Sequence, residues 1–297
     1  MLIDGKEISK LVYKDIVNEI DVITKKIQRP PSLNIILIGD NPSSLTYVNN
    51  KLKKCKEIGI SGNLIKKPKN IDEQNVISII NELNQDEKVD GIILQLPIPN
   101  HLNERILIEK ISPLKDVDGL TATNIGLLNI GKPRFIPATA YGIMEILKNE
   151  NIISEGKNIV VIGRSNIVGK PMVALLSGKD ENATVTVCHS KTINLKQHTL
   201  NADMIIVAVG KPNILDGSMI KEGAIVIDVG INRIENKENS KGFLILPMPL
   251  KIGDRNEVGY NDGSLNALAA AAGSLLQTLS ANPNMNLDTN QLVTNAR

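Results

Sequence analysis

Tyr47 and Lys51 stand four residues apart in the segment Ser43-Ser44-Leu45-Thr46-Tyr47-Val48-Asn49-Asn50-Lys51-Leu52-Lys53. On a helix that spacing puts the phenol and the amine on one flank. A lysine set against an apolar floor loses basicity and can move protons near neutral pH. Tyr47 is then placed to orient a flat ligand or to hydrogen-bond the amine. The competing reading is a solvated Lys51 in a run with Lys53, Lys54 and Lys56, and the residues alone leave both open. Gln95 ends the apolar run Gly91-Ile92-Ile93-Leu94-Gln95-Leu96-Pro97. An amide there either faces a ligand or is satisfied by backbone. Lys115-Asp116-Val117-Asp118-Gly119 reads as a turn with two acids. One acid could anchor a ring bearing donor nitrogens, or the segment is simply an acidic turn.

A second constellation lies in Val160-Val161-Ile162-Gly163-Arg164-Ser165-Asn166-Ile167-Val168-Gly169-Lys170-Pro171, between a strand pattern and a helix pattern. A tight turn feeding a helix N-terminus offers unpaired N–H groups to a phosphate. The segment is not a true G-x-G-x-x-G, because Ser165 and Val168 take the second and third glycine places, so a structural turn competes with a nucleotide site. The next strand ends Val187-Cys188-His189-Ser190-Lys191-Thr192 without the acid that an NAD site uses for the ribose 2′-hydroxyl. Arg164, with Ser190 and Lys191, suits a 2′-phosphate instead, so the reading leans to NADP; otherwise these are solvated loop charges. Gly163 and Ser165 belong to the turn. Gly210 and Ile231 end later strands, where ligands bind in open α/β sheets. His189 reads as a packed or solvated ring rather than a catalyst.

The elements that must position these residues alternate along the chain. Residues 33–38 read as a strand, and Asn41-Pro42 as the start of a helix over 43–58. A weak strand at 62–66, a helix at 72–83, a strand at 89–96 and a helix at 101–111 complete one α/β unit. A helix over 140–149 leads to a second unit. Its strands are expected at 159–163, 184–188, 203–209 and 224–229, with a helix at 168–176. Short apolar runs at crossover spacing predict a doubly wound parallel sheet of Rossmann-like type. The expected fold is therefore α/β, two lobes with a cleft between them. The polar stretch 232–242 is read as a loop, 265–279 as an Ala-rich helix, and 280–297 as a tail with little to bury.

Composition narrows the classes. The chain has 297 residues, 42% of them hydrophobic and 22% charged, enough to bury more than one core. Its net charge of +2 argues against binding a nucleic-acid backbone, and 2% aromatics argue against base-stacking platforms. Cys55 and Cys188 make no disulfide framework, and His101, His189 and His198 show no metal-ligand spacing, so no metal is expected. The N-terminus lacks the apolar region of a signal peptide, and the apolar run near 267–276 is too short to span a membrane. These readings point to a reduced, cytoplasmic protein.

The pieces together resemble the bifunctional methylenetetrahydrofolate dehydrogenase/methenyltetrahydrofolate cyclohydrolase family. The resemblance rests on the segments around Tyr47 and Lys51, on Asp90 to Pro99, on Pro113 to Leu120, on Phe135-Ile136-Pro137, on the Gly163 turn, on Thr184 to Thr192 and on Asp228 to Asn232, in order. It implies hydride transfer from 5,10-methylenetetrahydrofolate to NADP and hydrolysis of the 5,10-methenyl product to 10-formyltetrahydrofolate, in one-carbon metabolism that feeds purine biosynthesis. It implies that Lys51 transfers protons with Gln95 tuning it. Tyr47 positions the folate beside Leu96 and Pro97, and Asp118 holds the pterin nitrogens. Arg164 and Ser190 bind the 2′-phosphate. A homodimer is also implied. The resemblance places a folate-binding catalytic domain at 1–138, with a helix at 263–280 packing back onto it. An NADP domain occupies 139–260, and 281–297 is a disordered tail.

Two departures matter. The family's Cys-Thr-Pro-x-Gly is Ala138-Thr139-Ala140-Tyr141-Gly142 here. Its glycine-rich loop Pro-Val-Pro-Gly-Gly-Val-Gly-Pro-Met-Thr is replaced in the segment 244–265, where only Pro247 and Pro249 echo its start. Side chains in place of those glycines obstruct backbone approach to the ligands. The expectation is that the dehydrogenase step suffers more than the Lys51 step. An impaired or monofunctional relative, or a nucleotide-binding protein without catalysis, therefore stands beside the working bifunctional enzyme.

Overall fold

The computed structural model describes residues 5–211 and 213–229, and beyond them four short strands within 232–258. The chain divides into two compact units, residues 10–138 forming the body of one and the described residues from 139 onward, with the first residues of the chain, the other.

In the first unit, helix α1 (Gly5–Ile27) precedes strand β1 (Ser32–Ile38), helix α2 (Pro42–Glu57), strand β2 (Ser61–Lys67), helix α3 (Glu73–Gln85) and strand β3 (Gly91–Leu94). Helices α4 (Glu104–Lys110) and α5 (Ala122–Asn129) follow. The sheet is parallel with order β2-β1-β3. All of β1 is buried, as a central parallel strand covered on both faces must be. The period of two sorts its side chains. Leu33, Ile35 and Leu37 pack with Ile16, Ile20 and Ile23 of α1 and Val48 and Cys55 of α2. Ile36 and Ile38 pack on the other face with Val76 and Ile80 of α3 and Leu107 of α4. Truncating Ile35, which is fully buried, to Ala would cost about 2–5 kcal/mol.

The second unit starts with α6 (Ala138–Asn149) and continues through β4 (Asn158–Ile162), α7 (Gly169–Leu176), β5 (Thr184–Cys188), α8 (Leu195–Leu200), β6 (Met204–Val207) and β7 (Ile225–Asp228). These strands form a parallel sheet in the order β5-β4-β6-β7. A core of Val160, Ile162, Cys188, Ile205 and Val207 supports it. This is the α/β, Rossmann-like arrangement expected from the alternating apolar runs.

Three local differences have physical causes. The strand expected over 89–96 is only β3; Asp90 N and Gln95 N still donate to Ser32 O and Ile36 O of β1 on either side of it, and Pro97 has no N–H to carry the ladder further. The helix expected from 101 starts at Glu104, where Asn103 caps it by accepting from Ile106 N. The loop expected over 232–242 fails at its start. β8 (Asn232–Glu235) pairs antiparallel with β9 (Phe243–Leu246), an apolar run that supplies the partner. Strands β10 (Pro249–Ile252) and β11 (Arg255–Val258) form a second antiparallel pair. The helix expected at 263–280 and the tail at 281–297 lie outside the described residues.

Candidate active site

Asn41 starts α2 by accepting from Ser43 N at 2.9 Å and Ser44 N at 3.2 Å, with Pro42 in the first turn. The helix buries Ser44, Val48 and Cys55, a stripe at helical spacing. Tyr47 and Lys51 border that stripe, each half-buried. The Lys51 Nζ donates to Gln95 Oε1 at 3.4 Å. Gln95 sits just past the end of β3, where its N–H donates to Ile36 O at 2.9 Å and its Nε2 donates to Leu96 O at 2.7 Å. These backbone bonds turn the amide oxygen toward the amine. Gln95 is thus both backbone-satisfied and facing Lys51, and Lys51 is not the freely solvated cation of the competing reading.

Asp118 joins them. Burial pushes its carboxyl above the usual aspartate range, the nearby Lys51 charge pulls the other way, and Asp116 adds to the rise. Among the described residues Asp118 makes no hydrogen bond or ion pair, so its oxygens are available to a ligand. Burial also raises the Tyr47 phenol. Tyr47 shares the Lys51 flank, and among the described residues no hydrogen bond ties it to Lys51, Gln95 or Asp118. Leu96 packs against the α3 and α4 core, and Pro97 beside it is exposed.

Other residues at this site were not singled out from sequence. Ser44 is 2% exposed, and among the described residues its Oγ has no hydrogen-bond partner. Its seven-residue offset from Lys51 is the signal that could have found it. Cys55, four residues beyond Lys51, has its thiol pushed up to about 11, burial outweighing the Lys51 charge. Asp116, read only as a possible anchor, is 2% exposed and fully engaged by neighbouring donors.

In the second unit, β4 and β5 end together, with Ile162 in register with Cys188. Gly163 N donates to Cys188 O at 2.8 Å, which brings the Arg164 turn and the Ser190-Lys191 turn to the same sheet end. Gly163 has φ +120°, and a Cβ there would lie 2.5 Å from Ala208 O. A Cβ at Gly169 would lie 2.3 Å from Gly163 O. Both glycines are needed to let strand, turn and α7 close on one another. Ser165 Oγ accepts from Val168 N at 3.2 Å. The N–H groups of Arg164, Ser165, Asn166 and Ile167 donate to no acceptor among the described residues. Unpaired donors over a glycine-tight turn fit the phosphates of a dinucleotide. Arg164, Ser190 and Lys191 are exposed beside it, and Gly210 is exposed after β6. His189 is tied into its own turn, Nδ1 accepting from Lys191 N at 3.2 Å. Ile231 lies outside the described residues.

An amine held by an amide beside a desolvated carboxyl can exchange protons with a ligand and anchor its donor nitrogens. A dinucleotide turn on a separate parallel sheet can hold a nicotinamide nucleotide. Together they define a class, the two-unit α/β enzymes that use such a cofactor. Family profiles cover both units. The tetrahydrofolate dehydrogenase/cyclohydrolase catalytic domain matches residues 3–118, and the NAD(P)-binding domain of the same name matches residues 137–244. The Bifunctional protein FolD of Campylobacter hominis is 52% identical over 262 residues, 85% of this chain and 91% of that protein. The crystal structure of the bifunctional FolD of Campylobacter jejuni superposes with a TM-score of 0.85 at 38% identity, covering 94% of this chain and 98% of that one. The Trypanosoma brucei enzyme, solved with NADP cofactor and inhibitor, gives a TM-score of 0.83 at 29% identity, covering 94% of this chain and 97% of that one. The chain belongs to the tetrahydrofolate dehydrogenase/cyclohydrolase family.

Proposed function

We infer that this protein oxidises 5,10-methylenetetrahydrofolate with NADP and hydrolyses the 5,10-methenyl product to 10-formyltetrahydrofolate. The observation that carries the reading is the grouping of Lys51, Gln95 and Asp118 at one strand end in a chain of this family. Asp118 accepts from the amino and ring N–H groups of the pterin, and Tyr47 positions the ring from the flank it shares with Lys51. In hydrolysis, water attacks the electrophilic methenyl carbon, and the Lys51 amine takes the proton that the water loses. The addition leaves a hydroxyl on that carbon; as the carbon–nitrogen bond breaks, the same Nζ delivers its proton to the ring nitrogen and the hydroxyl releases its own proton to solvent as the formyl C=O forms. Gln95 Oε1 holds the amine at its working position through both transfers. Arg164, Ser190 and Lys191 take the cofactor's 2′-phosphate, and the N–H groups of the Gly163 turn take its diphosphate. When bound, NADP supplies the hydride acceptor for the oxidation.

An absorbance assay follows methylenetetrahydrofolate oxidation with NADP and then loss of the methenyl chromophore. Lys51→Met should abolish hydrolysis and leave NADP binding nearly intact; unchanged hydrolysis would remove Lys51 from the mechanism. The departure of segment 244–265 from the family's glycine-rich loop favours a second reading, in which oxidation is weakened relative to hydrolysis. The dinucleotide-domain match ends at residue 244, before most of that segment. A ratio of the two rates equal to that of a relative with the intact loop would exclude it. The working assembly is proposed to be a cytoplasmic homodimer that binds neither nucleic acid nor membrane. Light scattering on the purified chain checks the dimer. Among the described residues no helix is long and apolar enough to cross a membrane, and no cluster of His, Cys, Asp or Glu is placed to hold a metal.

A further inference from the structure

Asp116 closes the turn that carries Asp118 at several points. Its carbonyl accepts from Gly119 N at 3.0 Å, completing a four-residue turn with Asp118 in the third place. Its carboxylate accepts from Leu120 N at 3.2 Å, from Thr121 N at 2.8 Å and from Asn124 Nδ2 at 2.9 Å. Asn124 donates its other amide hydrogen to Pro113 O at 3.0 Å, so both of its hydrogens are used, and among the described residues its buried Oδ1 has no partner. An orphaned buried oxygen is costly, so the orientation is held by what the amide donates. The turn is also pinned to β3. Ile92 N donates to Lys115 O at 2.7 Å, and Ile92 forms an isolated parallel bridge with Asp116. Three residues beyond Ile92 is Gln95, the partner of Lys51. On the far side, Gly119 has φ +65°, and a Cβ there would lie 3.0 Å from Phe135 O, so the turn has little room to shift.

We propose that Asp116, clamped by Asn124 and the Leu120 and Thr121 N–H groups, is a positioning residue that holds Asp118 against the Lys51–Gln95 pair for the folate reaction. The inference rests on the folate reading above and deepens it. Asp116 touches no reacting atom and acts only through Asp118. A buried carboxylate at this point has a second effect, because its negative charge opposes ionisation of Asp118.

Asp116→Asn keeps the shape, removes the charge and turns one acceptor into a donor facing donors. Asp90→Asn is the matched control: that carboxylate is also buried in the same unit, but it anchors Arg29 and Ser32 N away from Lys51. Both variants should lower the thermal midpoint. Per folded molecule, only Asp116→Asn should raise KM for the methenyl substrate, by roughly tenfold, the effect of misplacing one charge-assisted contact. NADP affinity should be unchanged in both. Asn124→Ala, which removes one donor, should give the same KM effect at smaller size. In a carboxyl-13C titration by NMR, the Asp118 resonance of Asp116→Asn should move at lower pH than in the parent. Equal KM in Asp116→Asn and Asp90→Asn per folded molecule, or an unshifted Asp118 titration, would overturn the proposal. A parent protein with no folate turnover would instead overturn the folate reading, and the titration would still decide whether Asp116 governs Asp118.

Discussion

The two units solve different problems with different materials. The candidate folate-side residues are half-buried and individually oriented side chains, with Lys51 against Gln95, and Gln95 against Ile36 and Leu96. The candidate dinucleotide site is built mainly of backbone. Its turn is shaped by Gly163 and Gly169 at distances that admit no Cβ, while Arg164, Ser190 and Lys191 stand exposed. Proton transfer needs tuned groups, which requires burial and partners. Phosphate binding needs N–H groups at close range, which requires only that nothing intrude. Side-chain changes should therefore break the first unit, and backbone crowding should break the second.

The sharpest way to break the contrast is Lys51→Met. Hydrolysis should fall about 10²–10⁴-fold, the usual contribution of a positioned acid–base group, with NADP affinity held, as read by methenyl absorbance and cofactor titration. Next is Gly169→Ala, whose Cβ would meet Gly163 O at 2.3 Å. NADP binding should be lost, and the thermal midpoint should drop by the equivalent of about 1–3 kcal/mol, while hydrolysis per folded molecule persists. Cofactor-independent hydrolysis that fell in parallel would erase the distinction between the units. Arg164→Ala comes third. It should weaken NADP roughly tenfold or more, by loss of a charge-assisted phosphate contact, and leave NAD nearly unaffected. Equal losses for both cofactors would show that Arg164 does not read the 2′-phosphate.

The smallest effect concerns stability. The folded pKa of Asp118 is raised, so its contribution to stability is fully present below the unfolded value and is lost as pH rises through the folded one. Once ionised, the desolvated carboxylate therefore works against the fold. Asp118→Asn should raise the thermal midpoint at neutral pH, and the gain should shrink as pH falls toward the ordinary aspartate range. The same variant should weaken folate binding. A midpoint that is lowered at neutral pH would mean that the attraction to Lys51 outweighs burial.

Local signals were legible where the cause is local. Asn41-Pro42 announces α2, and the apolar runs announce β1, β4, β5 and β6, because a cap or a buried strand is written in neighbouring residues. The pairing of Lys51 with Gln95 was not written there and followed only from the family resemblance. It joins residues 44 apart through the position of β3 beside β1, which no helical or strand period encodes. Helix α1 carries a helical period at Val12, Ile16, Ile20 and Ile23, although β-branched residues depress helix propensity; packing of that face against β1 holds it. The Asp116 clamp was hidden for a third reason. An acid in an Asp-rich turn looks solvated until the donors that fill it are located in space. For Asp118, the turn itself offers two candidate acids and the family resemblance picks Asp118; burial and hydrogen bonding then distinguish Asp116, which anchors the turn, from Asp118.

Because the Gly163–Gly169 closure is independent of which side chains rim it, the residues proposed to read the 2′-phosphate form a removable fringe. On that reading Arg164, Ser190 or Lys191 can drift without endangering the scaffold, whereas Gly163 and Gly169 cannot.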